Sequence, residues 1–417
     1  MTNRTASSSA LFGWWHAADL RARRAFVAAA FGWMLDSFDV MLYAMVVAAL
    51  VEDPTLHLSL PAAGILNSVT LLASAAGGIV FGVVADRMGR KRALMASVLL
   101  YSVFTAMCGF AQSALQLAVF RVFLGLGMGG EWASGAALVS ETFPTEHRGK
   151  ALGFVQSAWA VGYGAAALVY MIVAPVWGWR GVFFVGVVPA LFIVWIQRRV
   201  EEPEIWTRAA RTAPAGRFSD VFAGGLGKLT IAVTLMNACT MFGWWGLNSW
   251  IPAYLRLAPA RGGIGLSAST MSLFVIAMQV GMWFGYVTFG FIADAVGRRR
   301  TYVIYVLAAS VLLPLYGVIR TPLPLLLLGP FVAFFGTGYF SGFGALTAEI
   351  YPTSIRATAQ GFTYNIGRVA SAIAPYAVGS LAETRGFAPA FALTGVAFLL
   401  AGVAWIWIPE TRGAELR

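Results

Sequence analysis

Gly82-Val83-Val84-Ala85-Asp86-Arg87-Met88-Gly89-Arg90-Lys91-Arg92 decides the fold, because its pattern occurs twice. Gly290-x-x-x-Asp294-x-x-Gly297-Arg298 repeats its Gly, Asp, Gly and Arg at an offset of 208 residues (82 to 290). The same offset joins Glu141 to Glu349, Pro144 to Pro352, Arg148 to Arg356 and Gly153 to Gly361. Matches held in one register mark two copies of one unit. A looser echo joins Phe31-Gly32-Trp33 to Phe242-Gly243-Trp244.

Working outward, each basic run follows a long apolar stretch. The chain has 417 residues, of which 59% are hydrophobic and 11% charged. Soluble domains carry about 25% charged residues, and a bilayer-spanning helix needs about 20 mostly apolar ones. Hydropathy predicts twelve helices, at 25–50, 62–84, 93–111, 115–139, 150–174, 180–199, 227–255, 268–292, 301–319, 322–347, 358–382 and 387–408. The expected fold class is an all-α membrane protein of twelve transmembrane helices in two pseudo-symmetric six-helix bundles. Residues 25–199 and 227–408 form the bundles, 1–24 an N-terminal segment, 200–226 a linker and 409–417 a tail. Similarly oriented repeats of this kind are found in a large class of secondary transporters.

With the N-terminus inside, Arg21, Arg23, Arg24, Arg87 to Arg92, Arg148, Lys150, Arg198, Arg199, Arg298 to Arg300, Arg356 and Arg412 fall on the cytoplasmic side. Arg180, Arg256, Arg261, Arg320 and Arg385 fall outside. This positive-inside bias puts both termini in the cytoplasm of a multi-pass protein of the cell (inner) membrane. Met1 to Leu20 has no apolar core of its own, so the first span would direct insertion. The net charge of +11 resides in short loops, which excludes a nucleic-acid reading. Cys108 and Cys239 lie in apolar stretches, and His16, His57 and His147 are scattered. No disulfide framework, metal site or nucleophile–base set is expected, and so no enzyme.

Ionisable residues inside spans are costly and point to function by default. Asp36 and Asp39 sit three apart near the middle of the first span, on one face of a helix. The fourth span carries Arg121 and Glu131. At about 1.5 Å per residue, Arg121 lies roughly 9 Å and Glu131 roughly 24 Å below the outer end; Asp39 and Asp36 lie roughly 16 and 21 Å below theirs. Glu131 is thus near Asp36 in depth. Carboxylates crowded in a low dielectric resist joint ionisation, so Asp36 or Glu131 is the expected proton carrier. A static buried ion network is the alternative. Arg368 lies near the midplane of the eleventh span with Asn365 and Tyr364 beside it, and no acid lies deep in the second half to pair with it. A substrate carboxylate would offset that charge bidentately; pairing across the cavity with Asp36, Asp39 or Glu131 is the other reading. Asn248 and Gln279 carry amides that need partners at depth, and with Tyr43 they complete the expected substrate set. Trp159, Tyr163, Trp244 and Trp245 are expected to pack or anchor instead.

On Gly82 to Arg92, its copy from Gly290, Arg121-Val122-Phe123-Leu124-Gly125-Leu126-Gly127-Met128-Gly129-Gly130-Glu131 and Glu141 to Gly149, the chain resembles the major facilitator superfamily from Ala25 to Arg412. The second copy departs from the pattern at Ala295, where an Arg would stand. Asp36-Ser37-Phe38-Asp39 resembles the Asp-Gly-Phe-Asp of organic-acid, sialate and aromatic-acid symporters, with Ser for Gly. Glu201 to Trp206 resembles a Glu-Ser-Pro-x-Trp motif of these and of sugar porters, and Pro409-Glu410-Thr411-Arg412-Gly413 resembles the sugar-porter ending. In the fold of the family that the chain resembles, the first and fourth spans line one central cavity, which implies that Arg121 reaches toward Asp39. The resemblance implies a cytoplasmic latch of Gly82, Asp86, Arg90, Glu141 and Arg148, repeated by Asp294, Arg298, Glu349 and Arg356. Gly82 would admit a close neighbour and Asp86 would face the start of the eleventh helix; plain topology-setting is the alternative. It also implies proton-coupled uptake of a small organic anion, such as a monocarboxylate or sugar acid, by alternating access. Protons are the coupling ion and no cofactor is expected. The partners are an organic-acid substrate, protons and the lipid bilayer, with no nucleic acid and a monomeric carrier. A sugar or polyol symporter and a non-transporting ligand sensor are the alternatives; for a sensor's added domain 200–227 leaves no room.

Overall fold

The computed structural model describes Trp15 and residues 18–143, 148–201, 221–352 and 355–412. Among them the structure is helical, with no strand. A bilayer leaves no water to satisfy the backbone, and helices satisfy it internally. In the first half, α1 is Leu20–Glu52, α2 Leu60–Met88, α3 Arg90–Cys108, α4 Ala114–Thr142, α5 Arg148–Val185 and α6 Pro189–Arg199. In the second, α7 is Gly227–Asn248, α8 Ile251–Arg256, α9 Ala268–Val296, α10 Arg298–Val318, α11 Pro322–Thr337, α12 Phe340–Ile350, α13 Arg356–Ser371, α14 Ala374–Arg385 and α15 Phe387–Ala404.

The helices follow the expected spans with physical differences. α1 begins at Leu20 rather than 25, because Asp19 caps it by accepting the Ala22 N–H at 2.7 Å. Ser59, Ser113 and Ser267 cap α2, α4 and α9 in the same way. Spans 5 and 6 meet inside α5 at Gly178, whose φ of 64° and ψ of −169° suit glycine. Span 7 divides into α7 and α8, span 10 into α11 and α12, and span 11 into α13 and α14. Pro252 and Pro375 stand in the first turns of α8 and α14. A proline has no N–H for the carbonyl four residues back, so the Asn248 carbonyl is free, and the Tyr163 hydroxyl donates to it at 3.1 Å.

The repeated motif explains its own glycines. Gly89 and Gly297 have φ of 107° and 114° with ψ of 154° and 150°. Each ends one helix and begins the next, in backbone that L side chains avoid. Within the first half, Gly125 and Gly129 let α4 lie directly on the backbone of α2 at Thr70, Ser74 and Gly78.

The end of the molecule carrying 87–92 and 297–300 is the basic end; the other is the far end. Between the halves, α1 packs on α8, α2 on α14, and α5 on α9 and α12. At the far end Leu60 N donates to Glu383 Oε2 at 3.2 Å, and a Cβ on Gly64 would sit 2.6 Å from the Pro375 carbonyl. At the basic end Gly82, Gly153, Gly290 and Gly361 have nothing within 4 Å of where a Cβ would be. Among the described residues the halves thus meet at the far end, and nothing packs on these four glycines at the basic end. Against the expectation for Gly82, no described neighbour closes on it in this state.

Candidate functional site

Between the halves lies a small cavity of about 30 Å³, lined among others by Trp33, Gln156, Trp159, Met241, Trp244 and Trp245. Tyr286, Phe340, Tyr364 and Arg368 complete the lining. The Trp rings form a continuous wall. Trp33 and Trp159 are 4.7 Å apart by ring centroids, Trp159 and Trp244 5.5 Å, and Trp244 and Trp245 4.7 Å. The echo of Phe31-Gly32-Trp33 in Phe242-Gly243-Trp244 brings one Trp from each half to the same cavity.

Arg368 is 4% exposed and its guanidinium lies 5.3 Å from the Tyr364 ring centroid. Among the described residues it makes no ion pair. Asp36, one of the acids the alternative reading pairs with it, lies within range of its charge and is not ion-paired with it.

Asp36, Asp39 and Glu131 are each 1% exposed. Asp36 Oδ2, both oxygens of Asp39 and both of Glu131 have no hydrogen-bond partner among the described residues. Glu131 Oε1 lies directly over Gly32 of α1, one helical turn from Asp36. The Thr105 hydroxyl beside Asp39 donates to the Tyr101 carbonyl at 2.8 Å instead.

Arg121 is the main correction. It does not pair with Asp39. Its Nε donates to Leu66 O at 3.2 Å, its Nη2 to Asn67 Oδ1 at 2.8 Å, and its guanidinium stacks 3.6 Å from the Tyr43 ring centroid. A desolvated cation–π contact contributes about 2 kcal/mol. Two carbonyl acceptors and an aromatic face thus hold the cation in place of a carboxylate.

Four expected substrate ligands lie away from the cavity lining. Tyr43 supports Arg121 and donates to Ala63 O at 2.8 Å. Asn248 turns its amide back on Trp244 O at 3.0 Å, and Asn365 on Gly361 O at 2.9 Å, each along its own helix. Gln279 packs beside Gly164 with Oε1 buried and unpartnered. A helix interior gives such amides a local carbonyl partner, which sequence depth alone does not reveal. The residues missed are aromatic, Trp159, Trp244 and Trp245 foremost, with Gln156.

At the basic end the side chains of Asp86, Glu141, Arg148 and Arg356 lie outside the described residues, so the first latch is not described. The second is. Arg298 pairs with Asp294 one turn back, and its Nη2 lies 3.2 Å from Glu349 Oε1. Glu410 Oε1 accepts the Arg298 N–H at 2.8 Å and Oε2 the Arg299 N–H at 3.2 Å, capping α10 from the chain's far terminus. Burial opposes the charge of Glu410, but the amides of Arg412, Arg298, Arg299 and Thr411 outweigh it and hold the carboxyl below its usual range. Thr411 Oγ1 donates to Glu349 Oε2 at 2.5 Å. At the far end Asp53 accepts from Thr55 and from Trp179 Nε1 at 2.8 Å, and pairs with Arg180 at 3.4 Å. Burial alone would raise its carboxyl, yet these contacts bring it to about 2.

The comparisons with known proteins agree with this architecture. The chain is 33% identical over 416 residues to the probable 4-methylmuconolactone transporter of Cupriavidus pinatubonensis, covering 97% of this chain and 95% of that one. It is 32% identical over 390 residues to the cis,cis-muconate transport protein of Acinetobacter baylyi, covering 91% and 92%. Its fold matches the xylose transporter XylE from E. coli in a partially occluded inward-open conformation, with a TM-score of 0.76, 19% identity and coverage of 95% and 100%. The profile of the Major Facilitator Superfamily matches residues 26–260 and 233–417. With long apolar helices in two repeated halves around a central cavity, the chain belongs to the Major Facilitator Superfamily and is a membrane transporter of small metabolites.

Proposed function

We propose that this transporter takes up a small, flat organic anion together with a proton by alternating access between two halves, 25–199 and 227–408. The observation that carries the anion is Arg368: buried, in the cavity wall, and without an ion pair among the described residues. An unpaired cation at that depth favours a carboxylate ligand. The aromatic wall favours a planar, unsaturated body, which offset stacking accommodates. Muconate is a flat dicarboxylate, and muconolactone is a cyclised acid of the same series, so the relatives' substrates fit this chemistry. Among the organic anions, the aromatic lining thus favours an unsaturated acid over a sugar acid.

The proton belongs with Asp36 and Glu131. A protonated Asp36 no longer competes with the substrate for Arg368, so proton and anion support each other's binding. No cofactor enters this cycle. The basic end is cytoplasmic by its loop charges, which places both termini inside, makes this structure open to the cytoplasm and makes the far end the outer face of the cell (inner) membrane. The carrier works as a monomer. The sugar or polyol alternative rested on the Pro409 to Gly413 ending. Glu410 and Thr411 are occupied in capping α10 and holding Glu349, so that ending speaks to the latch rather than to substrate.

The test is uptake of labelled benzoate, cis,cis-muconate and glucose into proteoliposomes, with and without an inward proton gradient. Saturable, gradient-stimulated uptake of an acid is expected. Uptake indifferent to the gradient would sink symport; uptake of glucose alone would sink the anion.

A further inference from the structure

Asn67 occupies a place that the site description leaves unexplained. It is 5% exposed in α2, about 10 Å below the far end at 1.5 Å per residue. It touches the buried Arg121 on one side and the other half of the molecule on the other. Arg121 is a donor only, so the Asn67 oxygen must face it and the Asn67 NH₂ must face away. That NH₂ donates to Ser249 Oγ at 2.7 Å. Ser249, 4% exposed, sits at the break between α7 and α8, where Pro252 interrupts the helical ladder and leaves the segment free to bend. One buried chain of hydrogen bonds thus runs from α4 through α2 to α7: Arg121 Nη2 to Asn67 Oδ1, then Asn67 Nδ2 to Ser249 Oγ.

At one end of the chain Arg121 Nη1 is buried without a partner, and elsewhere in the same half both oxygens of Asp39 are buried without one among the described residues. Buried polar groups left unpaired are unstable arrangements kept by something else. Here the constraint is far-end closure, which holds Ser249 against Asn67 and so fixes Arg121 on Asn67, Leu66 and Tyr43.

We propose that Asn67 is a positioning residue that couples closure of the far end to the acid cluster. With the far end shut, it keeps Arg121 off Asp39. When the halves part there, Ser249 withdraws, Asn67 loses its cross-half acceptor, and Arg121 turns to Asp39. This rests on the alternating-access reading and adds to it the element that reports the gate to the acids.

The experiment places spin labels at Ser59→Cys and Arg385→Cys, on exposed far-end positions beside α2 and at the end of α14, in a background with Cys108 and Cys239 replaced by Ala. Distance distributions and uptake kinetics are measured in lipid for this parent and with Ser249→Ala, Asn67→Ala, both together, and Ser249→Thr. A buried hydrogen bond contributes about 1 kcal/mol, so each alanine should raise the far-end-open fraction about fivefold. The outer-face KM should fall in step, since more of the carrier is competent to bind, while kcat does not rise. The double variant should match Asn67→Ala alone, because the cross-half bond to Ser249 is already lost in it, and Ser249→Thr should restore the parent distribution. Unmoved distributions, or effects that add in the double variant, overturn the coupling. If Asn67→Ala does not fold, Ser249→Ala and its Thr rescue carry the test alone. A parent without uptake would instead refute the transport reading, so the two failures are distinguishable.

Discussion

Arg368→Gln keeps a polar side chain of similar reach and removes the charge. Arg368 presents a planar fork in the cavity wall, so a substrate carboxylate takes two parallel charge-assisted bonds. Hydrogen bonds to charged groups contribute about 1.5–3 kcal/mol each, and a neutral amide returns about 1 kcal/mol. The net loss is about 2–5 kcal/mol, or roughly 30- to 4000-fold in Kd. Asp36 already shares the field of Arg368 in the empty carrier, so part of the interaction is exchanged rather than gained. The lower range, about 30- to 100-fold, is therefore expected. Arg368→Lys keeps the charge without the fork and should lose about tenfold. The wall of Trp33, Trp159, Trp244 and Trp245 makes intrinsic fluorescence quenching a direct assay. Benzoate and cis,cis-muconate are titrated against wild type and variants, with neutral benzamide as control. An unchanged Kd for the acids in Arg368→Gln would refute the anchoring role. An equal loss for benzamide would show a collapsed cavity instead of a lost charge.

Four further outcomes follow from named contacts. Gly82→Leu meets open space in this state, so folding and ligand binding from the basic end should persist, while uptake stops because the basic end cannot close; normal uptake would show that nothing ever packs there. Gly297→Ala adds a Cβ 2.7 Å from Glu410 Oε2 at a φ of 114°, and should cost about 1–3 kcal/mol, visible as a lowered Tm in detergent. Trp33→Ala and Trp244→Ala each remove one half's wall and should weaken flat acids about tenfold, as stacking contributes about 0.5–1.5 kcal/mol beyond area, while leaving acetate unaffected. Asp53 has its folded value near 2, below its unfolded 3.8, so its stabilisation is full above about pH 4 and fades only as pH falls toward 2. Asp53→Asn should therefore lower stability yet leave the pH profile of uptake between 5 and 8 in place.

The fold was legible because its determinants are local and repeated. Apolar length sets each span, and the 208-residue offset, with glycines forced at 89 and 297, sets two halves. The site was legible only in its charges. Arg368, Asp36, Asp39 and Glu131 are costly at depth, and cost is visible in a sequence. What a charge touches is not. Arg121 was expected on Asp39 by depth and by the family's fold, and it rests on Leu66, Asn67 and Tyr43 because rotation about the helix axis, set by packing, decides which side of α4 faces α1. Asn248 and Asn365 turn back on their own helices for a related reason: a carbonyl four residues away accepts from the side-chain amide. The aromatic wall was discounted because Trp in a span has apolar reasons to be there; the Phe-Gly-Trp echo was the signal that set Trp33 and Trp244 apart.

The arrangement divides the work between the halves. The buried acids Asp36, Asp39 and Glu131 belong to the first half, and the cation facing the cavity, Arg368, belongs to the second. A static ion network would have brought these opposite charges into contact, since a paired buried charge is far less costly than two lone ones. The structure instead leaves five carboxylate oxygens and a guanidinium nitrogen of Arg121 without hydrogen-bond partners among the described residues, with Arg368 across the cavity and no ion pair there. The proposed symport would supply its missing partners in turn: protons for the acids, a carboxylate for Arg368. A carrier whose empty site holds unmet demands of both signs binds its two ligands together better than either alone, which is the thermodynamic requirement for coupling. If the substrate's Kd were the same at pH 5 and pH 8, with its own ionisation accounted for, that demand would be met by something other than protons and the division of work would be wrong.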